Sequence, residues 1–259
     1  MTNYNTTYDH AVYSDNQNTP VATRPFYWIR AGLNDMAGAP LLSLLLGSVF
    51  TLLCVVSFGV VNTFPMFSVS MLALLLVVSP FLAAAAYSVA RQRVQKLTPS
   101  LRVCLKDIRS RALGIGMFSI VSALIVAAWV RLSGIVFALY YGSLGESTAY
   151  IARAWTSGSS TPSMMVFITV AGVMLALTLF TIGAFALPMI ADRNINVINA
   201  AHSGIKLLRS NASSVLVWML LLVVLIASAL FSGLILMPVV FPLLAYATWH
   251  SYRELSARS

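Results

Sequence analysis

The sequence predicts an all-α polytopic membrane protein with six transmembrane helices arranged as three hairpins. Three observations carry this reading. Hydrophobic residues make up 59% of the chain and charged residues only 9%, against about 25% charged in a soluble domain. A water-soluble fold of this size lacks the polar cover its surface would need. Long stretches are free of charge, and cations crowd alternate segments between them.

Residues 1–23 are rich in Asn, Thr, Asp and Tyr and have no apolar run of the secretory-signal kind. They are expected to form a disordered polar tail. A single six-span domain is assigned to 24–255, and 256–259 form a short tail. No charge falls between Asp35 and Arg91. One helix over that stretch would be about 80 Å long, against a hydrocarbon core of about 30 Å. It must turn back, and Asn62-Thr63-Phe64-Pro65 is the turn-forming cluster. Spans are therefore expected at 40–61 and 66–90. The third covers 112–141 and the fourth 164–191. The uncharged run 210–252 is again too long for one helix, and a break near Ser232-Gly233 gives spans at 212–231 and 234–252.

The cations set the orientation. Segment 91–111 carries Arg91, Arg93, Lys96, Arg102, Lys106, Arg109 and Arg111, and segment 191–211 carries Arg193, Lys206 and Arg209. Arg24, Arg30, Arg253 and Arg258 flank the first and last spans. Six spans put all of these on one side and leave Arg153 opposite, so both termini are expected in the cytoplasm. The net charge of +9 then records orientation, and nucleic acid is not an expected partner.

Both basic segments read as amphipathic cytoplasmic helices. Thr98 followed by Pro99 is a helix-start signal, and Leu101, Cys104, Leu105 and Ile108 recur at helical spacing. Ile198, Ala201, Ile205 and Leu208 form the second stripe. Each helix would lie at the membrane surface, its cations near anionic head groups. Arg24-Pro25-Phe26-Tyr27-Trp28-Ile29-Arg30 is expected to anchor at headgroup level, with Trp218, Trp249 and Tyr252 at the same interface and Trp129, Tyr140 and Tyr141 at the other. The chain also echoes itself. Lys106-x-x-Arg109-Ser110 matches Lys206-x-x-Arg209-Ser210, and Pro80, Pro188 and Pro242 each precede small residues and a cationic end. Ala84 with Ser88, and Gly172 with Ala176, permit close helix packing.

Few residues offer chemistry. Arg131 is the one charge inside a span, a functional position by default, although near the outer interface it could snorkel to head groups. A polar cluster of Asp192, Arg193, His202, His250, Arg253 and Glu254 is expected at the cytoplasmic face, as an ion-pair girdle, a docking surface for a partner or a shallow ligand site. Cys54 and Cys104 have no metal-type spacing. No phosphate loop, nucleophile elbow or zinc motif occurs, so no catalytic residue, metal or cofactor is assigned and an enzyme is not expected.

The segments Arg24–Asp35, Leu187–Arg193 and Ala247–Arg253 together resemble, in order, the bacterial membrane proteins grouped as domain of unknown function 2189. The resemblance implies a bacterial inner-membrane protein without an established activity. A label as cytochrome c oxidase subunit I attaches to some members, but that subunit needs intramembrane histidines that this chain lacks. The expected function is that of a non-enzymatic accessory protein in the lipid bilayer, acting on a membrane-protein partner or on a second copy. The alternative is a transporter or channel for a small solute, motivated by the prolines of the second, fourth and sixth spans.

Overall fold

The computed structural model describes residues 23–141, 162–193 and 195–257; the expected polar tail, save Thr23, together with Arg153 and Arg258, lies outside them. All regular structure in the described residues is helical. Helix α1 (Arg24–Gly38) has Pro25 in its first turn and ends at Ala39, whose φ of −144° leaves the helical region. The next residue, Pro40, imposes this by crowding the backbone before it. Helix α2 (Pro40–Thr63) follows. Pro65–Phe67 forms one 3-10 turn before α3 (Ser68–Val94), so the chain reverses at the Asn62–Pro65 cluster.

The first basic segment departs from expectation. There is no separate surface helix, and Thr98 and Pro99 do not start one. Helix α4 runs unbroken from Leu101 to Tyr141. Ser100 takes the capping place, its carbonyl accepting from the Cys104 N–H at 3.1 Å while its own N–H donates to Gln92 Oε1 at 2.9 Å. The expected surface stripe is thus the first turns of a helix about 60 Å long. The second basic segment does form its own helix. After α5 (Pro162–Arg193), helix α6 (Val197–Ser210) begins at Asn196, whose side chain accepts from the Asn199 N–H. Ile198 and Ile205 of the expected stripe point outward, and Ala200, Gly204 and Leu207 bury instead. Helix α7 (Ala212–Phe231) and helix α8 (Met237–Ala257) are separated at Ser232–Leu236, where Gly233 (φ 66°) and Leu234 (φ 70°) turn the chain in the left-handed region.

Among the described residues, four segments are long and apolar enough to cross a membrane: Pro40–Thr63, Pro65–Val94, Leu101–Val136 and Ala212–Phe231. Helix α8 is of another kind. It is the hub, touching α1, α2, α3, α5 and α7, and it is buried almost throughout its C-terminal half. Enclosed by protein, it can carry Thr248, His250, Ser251, Arg253 and Glu254 where a lipid-facing helix could not. Close approach to α2 depends on Gly47, where a Cβ would lie 1.9 Å from the Pro238 carbonyl oxygen. Ala84 and Ser88 are both buried, as close packing requires. Gly172 lies against the Trp129 ring, which packs on α5.

The aromatic residues of one end are core. Trp28, Trp218, Trp249 and Tyr252 are at most 1% exposed, so the expected headgroup anchors point inward. Trp28 meets Trp218 edge-on at 5.7 Å and Trp249 stacks on Tyr87 at 5.8 Å. This end also gathers α1, α6 and the charged helix ends, so its rings have water to escape and their burial is favourable. At the opposite end α2, α3 and α7 diverge around an apolar groove of about 630 Å³ beside Cys54, Phe58, Met71 and Leu230. The inner prolines do not break their helices: α3, α5 and α8 continue through Pro80, Pro188 and Pro242. Neighbouring helices tolerate the lost hydrogen bond within a bundle.

Candidate functional site

The polar end of the bundle holds two charge clusters. In the first, Asp35 on α1 lies between His250 and Arg93, with His250 Nε2 2.8 Å from Asp35 Oδ2 and Arg93 Nε 3.9 Å from Oδ1. Gly38, one turn after Asp35, leaves the space that the Arg93 guanidinium fills, since a Cβ there would fall about 2 Å from it. On the next turn of α8, Glu254 is fully buried. It accepts the Trp28 indole N–H at 2.7 Å and faces Arg24 Nε at 3.8 Å. Burial pushes the Tyr27 phenol above its ordinary range, and the Glu254 charge pushes the same way.

The second cluster centres on Asp192, at the end of α5. Arg253 Nη1 lies 3.6 Å away and Arg91 Nη1 3.8 Å away, and Tyr252 donates its hydroxyl at 3.0 Å. Arg111 Nη2 donates to the Asp192 carbonyl at 3.1 Å. Arg91 also pairs with Asp107, which accepts from Ser88 as well. Arg193 and Arg253 lie over the Tyr252 and Trp249 rings at 5.9 and 5.7 Å, within cation–π range. Each of the four described acids (Asp35, Asp107, Asp192 and Glu254) therefore meets a cation from another helix.

Asp192, His250, Arg253 and Glu254 of the expected girdle are its members, and Arg193 joins at its rim. His202 stands exposed on α6, outside it. Arg131 is exposed on α4, about 30 Å along the helix from Arg111 at 1.5 Å per residue, and takes no part. Sequence reasoning missed Arg24, Trp28, Asp35, Arg91, Arg93, Asp107 and Arg111 as members. The signal was there in the scarcity of acids, because seven acids among 16 cations make each one a probable ion-pair partner if buried.

Chemically the network is closed. The cavity among Tyr87, Ser88, Arg91, Asp107, Arg111 and Trp249 has about 10 Å³, at the threshold for one water and far below the size of an organic substrate. Among the described residues no three His, Cys, Asp or Glu side chains are grouped to hold a metal ion. Cations and acids from five helices are drawn together, so the arrangement clamps helix ends.

Residues 67–192 match the model of a family described as predicted integral membrane protein, domain of unknown function 2189 (DUF2189). Over that stretch the chain is similar to this family. No curated protein and no solved structure matches it. The family segment holds α3, α4 and α5 up to Asp192, and hence Arg91, Arg93, Asp107 and Arg111. Arg24, Asp35, His250, Arg253 and Glu254 lie outside it, as do two of the three segments in which the sequence resembles the family. The clamp therefore joins the family segment to the helices on either side of it.

Proposed function

We propose that this chain is a six-span protein of the bacterial inner membrane, with both termini cytoplasmic, that acts without catalysis as an accessory to another membrane protein. Helices α5 and α8 supply the two spans beyond the four apolar ones. Contacts of α2 with α3, α4 with α5 and α7 with α8 support a hairpin design. The charge clamp marks the cytoplasmic end, where cations accumulate.

The observation that carries the accessory reading is how the chain divides its side chains. The four described acids are used to hold helices together. The four apolar spans keep only 17–22% of their most apolar windows buried, which leaves broad faces for neighbouring helices, from another protein or a second copy. Transmembrane helices associate through such packing faces rather than through hydrophobic exclusion from water. Extraction in mild detergent from the native membrane should bring down one defined protein in fixed ratio. Repeated isolation of the chain alone would contradict the reading.

One observation favours a second reading, passage of a small apolar solute. A cavity of about 300 Å³ lies beside Pro80, lined by Leu76, Ser79, Phe118, Ser122, Leu187 and Phe241, at the lower limit for a ligand site. Uptake into proteoliposomes should then fall when Ser122→Phe fills it and should be unchanged in Arg131→Ala. Equal uptake in protein-free vesicles would remove this reading.

A further inference from the structure

The outward stripe of α4 changes character once along its length. Arg102, Lys106 and Arg109 follow at i, i+4 and i+7, so they share a helix face, and all three are exposed. The same stripe continues as Leu113, Met117, Ile120 and Leu124, exposed at 80%, 53%, 54% and 64%. Helix α6, which touches α4, repeats two of these cations as Lys206 and Arg209, with His202 at the place of Arg102, again all exposed. Ile198 and Ile205 stand exposed beside them.

Like charges at i, i+3 and i, i+4 repel and weaken a helix unless an anion neutralises them. Each of the four described acids is paired with another cation in the clamp, so none of them serves these cations. The anion has to come from outside the described fold.

We propose that these two matching faces bind the anionic head groups of phospholipids in the leaflet around the polar end. The switch from cationic to apolar on one stripe sets the depth. Leu113 follows Arg109 by four residues, about 6 Å along the axis, and the headgroup layer is about 5–8 Å deep on each side of the hydrocarbon. A long basic side chain there reaches a phosphate while its methylenes stay on apolar surface. Arg109 and Arg209 offer the forked geometry that takes two phosphate oxygens, and Lys106 and Lys206 add point charge. The exposed isoleucines and leucines beside them suit acyl chains better than an acidic protein surface, which makes lipid the occupant.

The inference rests on the membrane assignment and is independent of the accessory reading, since it concerns the isolated chain. The full chain, purified in detergent and exchanged against phosphatidylglycerol or phosphatidylcholine, is examined by native mass spectrometry for retained lipid. The wild type should retain phosphatidylglycerol preferentially, and the preference should shrink as salt rises. Arg102→Gln/Lys106→Gln/Arg109→Gln and Lys206→Gln/Arg209→Gln should each lower it, by at most about fivefold per cation removed. Lys106→Arg/Lys206→Arg should keep it, and circular dichroism should show wild-type helix content in every variant analysed. Equal retention of the two lipids by the wild type would overturn the proposal, as would an undiminished preference in folded glutamine variants. So would a preference that disappears with removal of a bound acidic protein.

Discussion

Glu254→Ala is the most informative single change, because Glu254 ties the first helix of the described chain to the last. Its carboxylate is fully buried, accepts the Trp28 N–H at 2.7 Å and faces Arg24 at 3.8 Å. Truncation leaves an indole N–H without an acceptor, at about 1–3 kcal/mol, and deprives a nearly buried guanidinium of its counter-charge. Removing one partner of a buried pair typically costs about 3–5 kcal/mol in total. Glu254→Gln keeps an acceptor for Trp28 and loses only the charge, so it should cost less, about 1–3 kcal/mol. The pair itself need not stabilise the fold relative to apolar residues, since desolvation offsets its attraction. Arg24→Leu/Glu254→Leu should therefore recover part of the loss. The assay is denaturant or thermal unfolding of the purified chain in detergent, followed by circular dichroism and Trp fluorescence. Equal stability of Glu254→Ala and wild type, or equal damage from Ala and Gln, would refute the reasoning.

Further outcomes follow from the same contacts. Asp192→Asn removes the charge facing Arg91 and Arg253 and should cost up to about 3 kcal/mol. Combined with Asp107→Asn its effect should be non-additive, because both acids share Arg91; strict additivity in a double-mutant cycle would contradict the shared cluster. Gly47→Ala should destabilise by about 1–3 kcal/mol through its clash with the Pro238 backbone. Gly59→Ala on the same helix meets nothing within 4 Å and should be neutral or stabilising by up to about 1 kcal/mol, so melting temperatures should move in opposite directions. Lys96 sits at φ 57° in the turn after α3. Lys96→Gly should relieve about 1 kcal/mol of left-handed strain, visible as a small rise in melting temperature.

The turns of the fold were legible because they depend on local chemistry. Charge-free length demanded a reversal, and Asn62–Pro65 and Ser232–Gly233 supplied the residues for it. The first surface helix was misread for the same local reason. Thr98-Pro99 is a valid start signal, yet the link from the Ser100 N–H to Gln92, one helix back, moves the start to Leu101. Aromatic placement failed through ambiguity, since Trp28 beside arginines suits either a headgroup anchor or a wet-end core. Only packing against Trp218 and Glu254 distinguishes the two. The site was half legible. Asp192, His250, Arg253 and Glu254 were identified by their shared position at helix ends, where cations and acids collect. Asp35 was not, because its partner His250 lies 215 residues away and spacing carries no information over that range. His202, alike in type and placement, stays outside because it lies on the outer face of α6.

In the proposed topology α1 and α8 end on one side of the membrane and are clamped there with the basic ends of the other helices. Paired reporter fusions, green fluorescent protein or alkaline phosphatase, placed after residue 257 and within 145–155, test this most directly. The account predicts fluorescence without phosphatase activity at the C-terminus, and the reverse between α4 and α5. Phosphatase activity at the C-terminal fusion, or the same reporter active at both sites, would contradict it.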